Sequence, residues 1–519
     1  MSAPNPSTEN PAAESAGASA ATLDTSFFGH PKGLATLFFT ELWERFSYYG
    51  MRALLVLFMT AAAVGGNPGL GFDTGKATAV YGLYTFFVYV LSLPGGWVAD
   101  NIWGQRRSVF VGGCIIAAGH FSMALPAFGL PDVAFFYFGL GLIVVGTGLL
   151  KPNVSTMVGD LYPEGGARRD AGFSIFYMGI NIGAILGPTL CGWLGEGYNW
   201  HWGFSLAGFG MVAGLISYQW GADNLGRAGL LEADDEQAVA RKSRNFYSIS
   251  AALAALIAIF GFLMNTGVIG ISLQQLAGGL GVAAVGITVA FFAYIIFFGG
   301  HTEEEKKRLG VIFWLFILAA LFWSGFEQAG SSLNLFAKDL TDRTFEFMGG
   351  WTMPASMLQN INPLFIVILA PVFGWFWTWL ANRNANPSIP VKFGLGLLGL
   401  AGGFFVLSWG AANATAANPV TPAWLIVTYF LHTCGELALS PVGLSSMTKL
   451  APENRVGQMM GVWFVAAALG NLFAGLIAGQ LETLAPSSLF WSVAMIIGGG
   501  GIVGLLASPF VKPLMGDVE

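Results

Sequence analysis

Apolar stretches of about 20 residues recur almost without relief from residue 33 to residue 511. That is the length an α-helix needs to cross a hydrocarbon core. Inside a bilayer every backbone N–H and C=O must be satisfied by the chain itself, which leaves helices as the economical solution for runs of this length. Fourteen spans are expected. Six lie near 33–63, 77–99, 108–126, 134–158, 171–196 and 202–221, and two near 246–266 and 276–299. Six more lie near 311–338, 352–380, 392–411, 422–447, 456–481 and 488–511. Only 10% of residues are charged, against roughly 25% in a soluble domain, so the composition excludes an ordinary globular surface. The 72 glycines suit close packing between membrane helices. Three cysteines, Cys114, Cys191 and Cys434, all lie in apolar stretches, which argues against a disulfide framework or a metal knuckle. A net charge of −6 argues against a nucleic-acid partner.

Lysine and arginine set the orientation. With the N-terminus inside, 17 basic residues fall in inner segments and only Lys76, Lys338 and Arg343 in outer ones. This positive-inside bias predicts a multi-pass protein of the cell (inner) membrane with both termini cytoplasmic. Residues 1–26, rich in Ala, Ser, Pro and Asn, read as a disordered cytoplasmic tail rather than a signal peptide. The expected organisation is a six-helix bundle over 27–221, a cytoplasmic linker over 222–245 and an inserted helical hairpin over 246–300. A second linker over 301–309, a second six-helix bundle over 310–512 and a tail over 513–519 complete it. Two six-helix halves are what the major facilitator architecture requires.

Seven charged residues fall inside the expected membrane region: Glu41, Glu44, Arg45, Arg52, Lys151, Glu327 and Glu436. Each costs about 2.5–3.5 kcal/mol at mid-bilayer, so together they amount to roughly 20 kcal/mol if unpaired. They must face one another or a wet cavity. Glu41, Glu44, Arg45, Tyr48 and Arg52 are spaced to form one stripe of a helix. From the direction of each span, Arg52 and Glu327 fall in the outer half of the membrane, and Lys151 and Glu436 in the inner half. Two pairs joining the halves are expected, Arg52 with Glu327 above a central cavity and Lys151 with Glu436 below it. A carrier that exposes a midplane site alternately to each side needs one latch on each side.

The same residues carry a resemblance. ELWERFSYYG at 41–50 matches the ExxERFxYYG motif of proton-dependent oligopeptide transporters, a branch of the major facilitator superfamily. GTGLLKPNVSTMVGDLY at 146–162 and DAGFSIFYMGINIGAILGP at 170–188 resemble that family's fourth- and fifth-helix signatures. FWSGFEQAGSSL at 322–333, NINPLFI at 360–366 and GELALSPVGLS at 435–445 resemble later blocks, and PGGWVADNIWGQRR at 94–107 the general facilitator loop. The uncharged stretch 246–300 fits the extra hairpin of bacterial members. The resemblance implies an all-α major facilitator fold and proton-driven import of di- and tripeptides, with protons as co-substrate and no cofactor. It implies proton coupling through Glu41, Glu44, Arg45 and Glu327. Its peptide site would be lined by Arg45, Tyr48, Tyr49, Tyr84, Lys151, Asn181, Asn362, Glu436, Ser440 and Trp463, with Arg52 and Glu327 at the outer gate. Animal members carry a functional histidine in the second span. His30, His120, His201, His301 and His432 all lie elsewhere, which leaves the coupling to carboxylates.

The chemistry is coherent with that reading. A zwitterionic peptide presents a carboxylate, an ammonium and an amide. Arg45 and Lys151 suit the carboxylate, Glu436 the ammonium, and Asn181 and Asn362 the amide. Tyrosines and Trp463 offer side-chain surface without demanding a particular residue. Small peptides, protons and the lipid bilayer are the expected partners, with no obligate protein partner inferred. The open alternatives are another facilitator carrier, for nitrate, an amino acid or a drug, and an intramembrane enzyme.

Overall fold

The computed structural model describes residues 24–163, 165–231, 235–516 and 518. Most of the expected N-terminal tail therefore lies outside the described residues. The described chain opens at Asp24, whose carboxylate accepts the Ser26 hydroxyl and the Lys32 N–H (2.7 Å). These bonds hold its pKa down to about 2 at the start of the first helix.

The first half contains α1 (Lys32–Thr60), α2 (Thr74–Val90), α3 (Ser92–Val98), α4 (Gly104–Ala124), α5 (Asp132–Asp160), α6 (Gly166–Gly197) and α7 (Trp200–Trp220). Then come α8 (Glu236–Asn265) and α9 (Leu273–Phe298). The last part holds α10 (Glu303–Phe326), α11 (Ser332–Asp339), α12 (Ile361–Ala381), α13 (Ile389–Ala412), α14 (Ala423–Leu450), α15 (Val456–Ala478) and α16 (Pro486–Val511). Each of the fourteen expected segments falls on helix. Among the described residues, eleven helical stretches are long and apolar enough to cross a membrane by length and composition alone. α1 is not one of them because Glu41, Glu44, Arg45 and Arg52 interrupt it, and α7 is not, being dense in Gly, Trp and polar residues. The run Thr74–Phe128 counts once although it holds two expected spans.

Four boundaries differ from the sequence reading. The second span breaks at Leu91 and again in a π-helical turn over Ala99–Trp103, around Pro94, which lacks the N–H an uninterrupted helix needs. The span expected over 311–338 breaks after Phe326, where a 3-10 turn, Glu327–Gly330, precedes α11. Gly330 is required there, since a Cβ would lie 2.2 Å from the Tyr81 hydroxyl. The linker read over 222–245 ends in the first turns of α8, which begins at Glu236. The tail read over 513–519 begins with packed chain, Met515 being fully buried. A small hairpin, β1 (Thr344–Phe345) with β2 (Trp351–Thr352), was not legible in the sequence; Gly349 and Gly350, both at positive φ, turn it.

Packing groups the helices as two sets. α1 lies on α6 and α7, and α4 on α5 and α7; α13 lies on α14 and α16, and α10 on α15. The sets meet where α2 packs on α15 and α6 on α12. α9 packs against α2, α15 and α10, whereas α8 touches mainly the π-helical turn. There Trp103 donates to the Tyr247 hydroxyl (3.0 Å) and Lys242 to Asn101 (2.8 Å). Arg106 binds the carbonyls of Gly226 and Ala228, at 2.5 and 2.7 Å, so it braces the linker.

Candidate functional site

A cavity of about 140 Å³ lies between the two sets of helices. Arg52 and Tyr49 of α1 line it, with Tyr89 of α2 and Tyr177 and Asn181 of α6. From the other set come Trp323, Phe326 and Glu327 with Gln359, Asn362, Tyr429 and Glu436. It thus holds one cation, two carboxylates and several amide and hydroxyl groups between aromatic walls.

The helix break after Phe326 turns Glu327 toward α1. Arg52 Nη2 donates to Glu327 Oε2 (2.7 Å) and its Nε to the Tyr81 hydroxyl (2.7 Å). That hydroxyl donates to the Glu327 carbonyl (3.4 Å). Arg52 and Glu327 are both buried, so each neutralises a charge that would otherwise be stranded. Next to this pair, Asn334 donates to the Ala53 carbonyl (2.8 Å) and Asn360 to the Thr189 hydroxyl (2.7 Å). The two sets are therefore tied together at this end.

The second expected pair, Lys151 with Glu436, does not form. Among the described residues no carboxylate is within ion-pair distance of Lys151. Its Nζ instead sits 4.0 Å from the centre of the Tyr89 ring. Glu436 accepts from Asn362 Nδ2 (3.1 Å), which also donates to the Thr433 hydroxyl (3.0 Å). The reason lies in the packing: α5 contacts α4, α3 and α2, and α14 contacts α13, α12, α15 and α10, each within its own set. With the two apart, a π face and an amide are the nearest groups able to meet each charge.

Glu41, Glu44 and Arg45 form one buried cluster on α1. Arg45 Nε lies 2.9 Å from Glu41 and 2.5 Å from Glu44. Both contacts are buried ion pairs, so the one guanidinium serves two carboxylates. The Tyr48 ring lies 5.4 Å from the Arg45 guanidinium. This cluster is not on the cavity wall.

Other expected site residues diverge. Asn181 is on the wall, but its amide donates to the Tyr177 carbonyl of its own helix (3.0 Å). Tyr84 is buried away from the cavity with its hydroxyl unbonded; Tyr89, five residues along α2, is the wall residue. Ser440 is half-buried and off the wall. Trp463 is buried against Phe393 and over Gly443, where a Cβ would be 2.1 Å from its ring. Beyond Tyr89, the sequence reading omitted Tyr81, Tyr177, Trp323, Gln359 and Tyr429. Trp323 and Tyr177 sit inside the quoted motifs, so spacing from Glu327 and Asn181 was the available signal.

Two helix sets tied at one end, with a charge-lined cavity between them, are the frame of a membrane carrier. The sequence matches the POT family model over residues 106–491. It is 41% identical to a peptide transporter, YePEPT, of Yersinia enterocolitica, over 95% of this chain and 97% of that one. It is 36% identical to a di-/tripeptide transporter of Lactococcus lactis subsp. cremoris, over 96% and 99%. Among solved structures, a peptide transporter POT in complex with sulfate aligns with a TM-score of 0.85 at 38% identity, covering 95% of this chain and 97% of that one. The chain belongs to the POT family. It is a multi-pass membrane transporter of major facilitator fold, not an enzyme.

Proposed function

We propose that this protein is a proton-coupled symporter that imports di- and tripeptides across the cell inner membrane by alternating access. The cavity carries the reading. Arg52 with Glu327 faces Glu436, Asn362 and Asn181 across aromatic walls, and such a lining complements a zwitterion with an amide at its centre. The peptide-transporting relatives support it, as does a POT family structure with a thioalcohol-conjugated peptide, at 32% identity and a TM-score of 0.84.

The working arrangement is two six-helix bundles, 27–221 and 310–512, with the hairpin 246–300 between them, fourteen crossings and both termini cytoplasmic. Glu436 receives the peptide ammonium, and Lys151, once free of Tyr89, the carboxylate together with Arg45. The Glu41–Glu44–Arg45 cluster and Glu327 take the proton, because one proton neutralises the net −1 of the seven membrane charges. The tied outer end and the separated Lys151 and Glu436 support an inward-facing state. Lys151 pairs with Glu436 when the inner end closes.

Substrate length is the test. Each extra residue extends a chain by at most about 3.3–3.6 Å, and a missing terminal charge strands its partner in a poorly hydrated site. Dialanine and trialanine compete for uptake of a labelled dipeptide, whereas tetra-alanine, free alanine and N-acetyl-dialanine compete poorly. Strong competition by the acetylated peptide removes Glu436 from its role, and preference for nitrate or a single amino acid overturns the peptide assignment.

A further inference from the structure

Two carboxylates outside the cavity cross between the helix sets at the outer end, and the mechanism above uses neither. Glu196, near the end of α6, accepts the N–H of Ala355 (2.8 Å), the N–H of Ser356 (2.9 Å) and the Ser356 hydroxyl. These donors open the 3-10 turn Ala355–Asn360 that leads into α12. Glu482, just beyond α15, accepts the N–H of Gly75 (2.7 Å), the second residue of α2. The first N–H groups of a helical segment have no partner within it, and that end favours negative charge. Each carboxylate therefore satisfies orphan donors of the opposite set.

The arrangement is repeated. α6 and α15 are the fifth spans of their bundles, and α2 and α12 the second. Each seat also depends on a glycine. A Cβ at Gly192, one turn before Glu196, would lie 2.1 Å from Ser356 Oγ. A Cβ at Gly75 would lie 2.8 Å from Glu482 Oε2.

We propose that Glu196 and Glu482 are matched latches that hold the outer ends closed and set the balance between outward-closed and outward-open states. They act separately from the Arg52–Glu327 pair. Glu196, half-buried with three donors, is the stronger; Glu482, exposed with one, is the weaker. Neither lines the cavity, so they shift populations without recognising cargo. The inference rests on alternating access and is independent of the peptide assignment.

The test uses the full chain in proteoliposomes, with Cys114, Cys191 and Cys434 replaced and Ala329→Cys added on the cavity wall. A membrane-impermeant maleimide reads accessibility from each side. Removing a helix-end cap shifts an equilibrium by about 2- to 30-fold. Glu196→Gln should raise outside labelling and lower inside labelling within that range, Glu482→Gln less, and the double variant more than either. Gly192→Ala, which displaces Ser356 but keeps the carboxylate, should shift labelling the same way, as should the mild Ser356→Ala. Unchanged labelling in a folded double variant, or in Ser356→Ala should the double variant not fold, overturns the latch. So does a rise from both sides together, which marks loosened packing. A parent carrying only Ala329→Cys that is never labelled from outside, with or without dialanine, overturns alternating access and the latch with it.

Discussion

Arg45 pairs with two carboxylates at once, so one negative charge of this buried cluster is left over, and the proposed symport assigns the proton to it. A proton there supplies a donor where two acceptors compete. Glu44→Gln should abolish gradient-driven accumulation while sparing peptide counterflow, measured in the same vesicles; full accumulation by Gln variants at positions 41, 44 and 327 alike would remove carboxylate coupling. The Arg52–Glu327 pair makes a different prediction. Arg52→Met alone strands a buried carboxylate, at about 3–5 kcal/mol, and should lower the thermal midpoint sharply. Adding Glu327→Leu should restore most of the midpoint but none of the transport, because the pair is replaceable as packing and not as a gate. These charges were legible in the sequence because each is expensive in a membrane. Their partners were less so. Depth along a span put Lys151 and Glu436 at one level but could not reveal that α5 and α14 pack only within their own sets. Tyr84 and Tyr89 differ by five residues, and thus by about 140° around a helix, which is why Tyr89 rather than the expected Tyr84 lines this cavity.

At the scale of helices, glycine decides how closely elements meet. A Cβ at Gly95 in α3 would fall 1.9 Å from the Gly148 carbonyl oxygen, and one at Gly183 in α6 2.3 Å from that of Leu42. Backbone cannot yield as a flexible side chain can. Gly95→Ala and Gly183→Ala should each cost about 1–3 kcal/mol or more, seen as a lower thermal midpoint in detergent. Gly141, in α5 with nothing within 4 Å, should accept alanine with no loss. The abundance of glycine announced close packing, but the sequence alone could not say which glycines lie at crossings. Helix breaks were similarly hidden: the apolar run through Glu327 has helical character throughout, and nothing in it announces the 3-10 turn Glu327–Gly330, whose Gly330 leaves room for the Tyr81 hydroxyl. The hairpin Thr344–Thr352 escaped notice because two-residue strands carry too little alternation to register.

For the whole molecule, the recurring spans and the polar linker made the bundle architecture legible, and the motifs at 41–50 and 435–445 carried its family. Long-range apposition was beyond them, including Glu196 against Ser356 across the interface. The proposed symport links a proton to a peptide through buried carboxylates. Accumulation of labelled dialanine in proteoliposomes, with and without an imposed inward proton gradient, measures that link most directly. Uptake above the equilibrium level only when the gradient is present, and collapse of that excess on adding a protonophore, is the predicted result. Equal accumulation without a gradient, or equilibration that ignores it, would contradict the account.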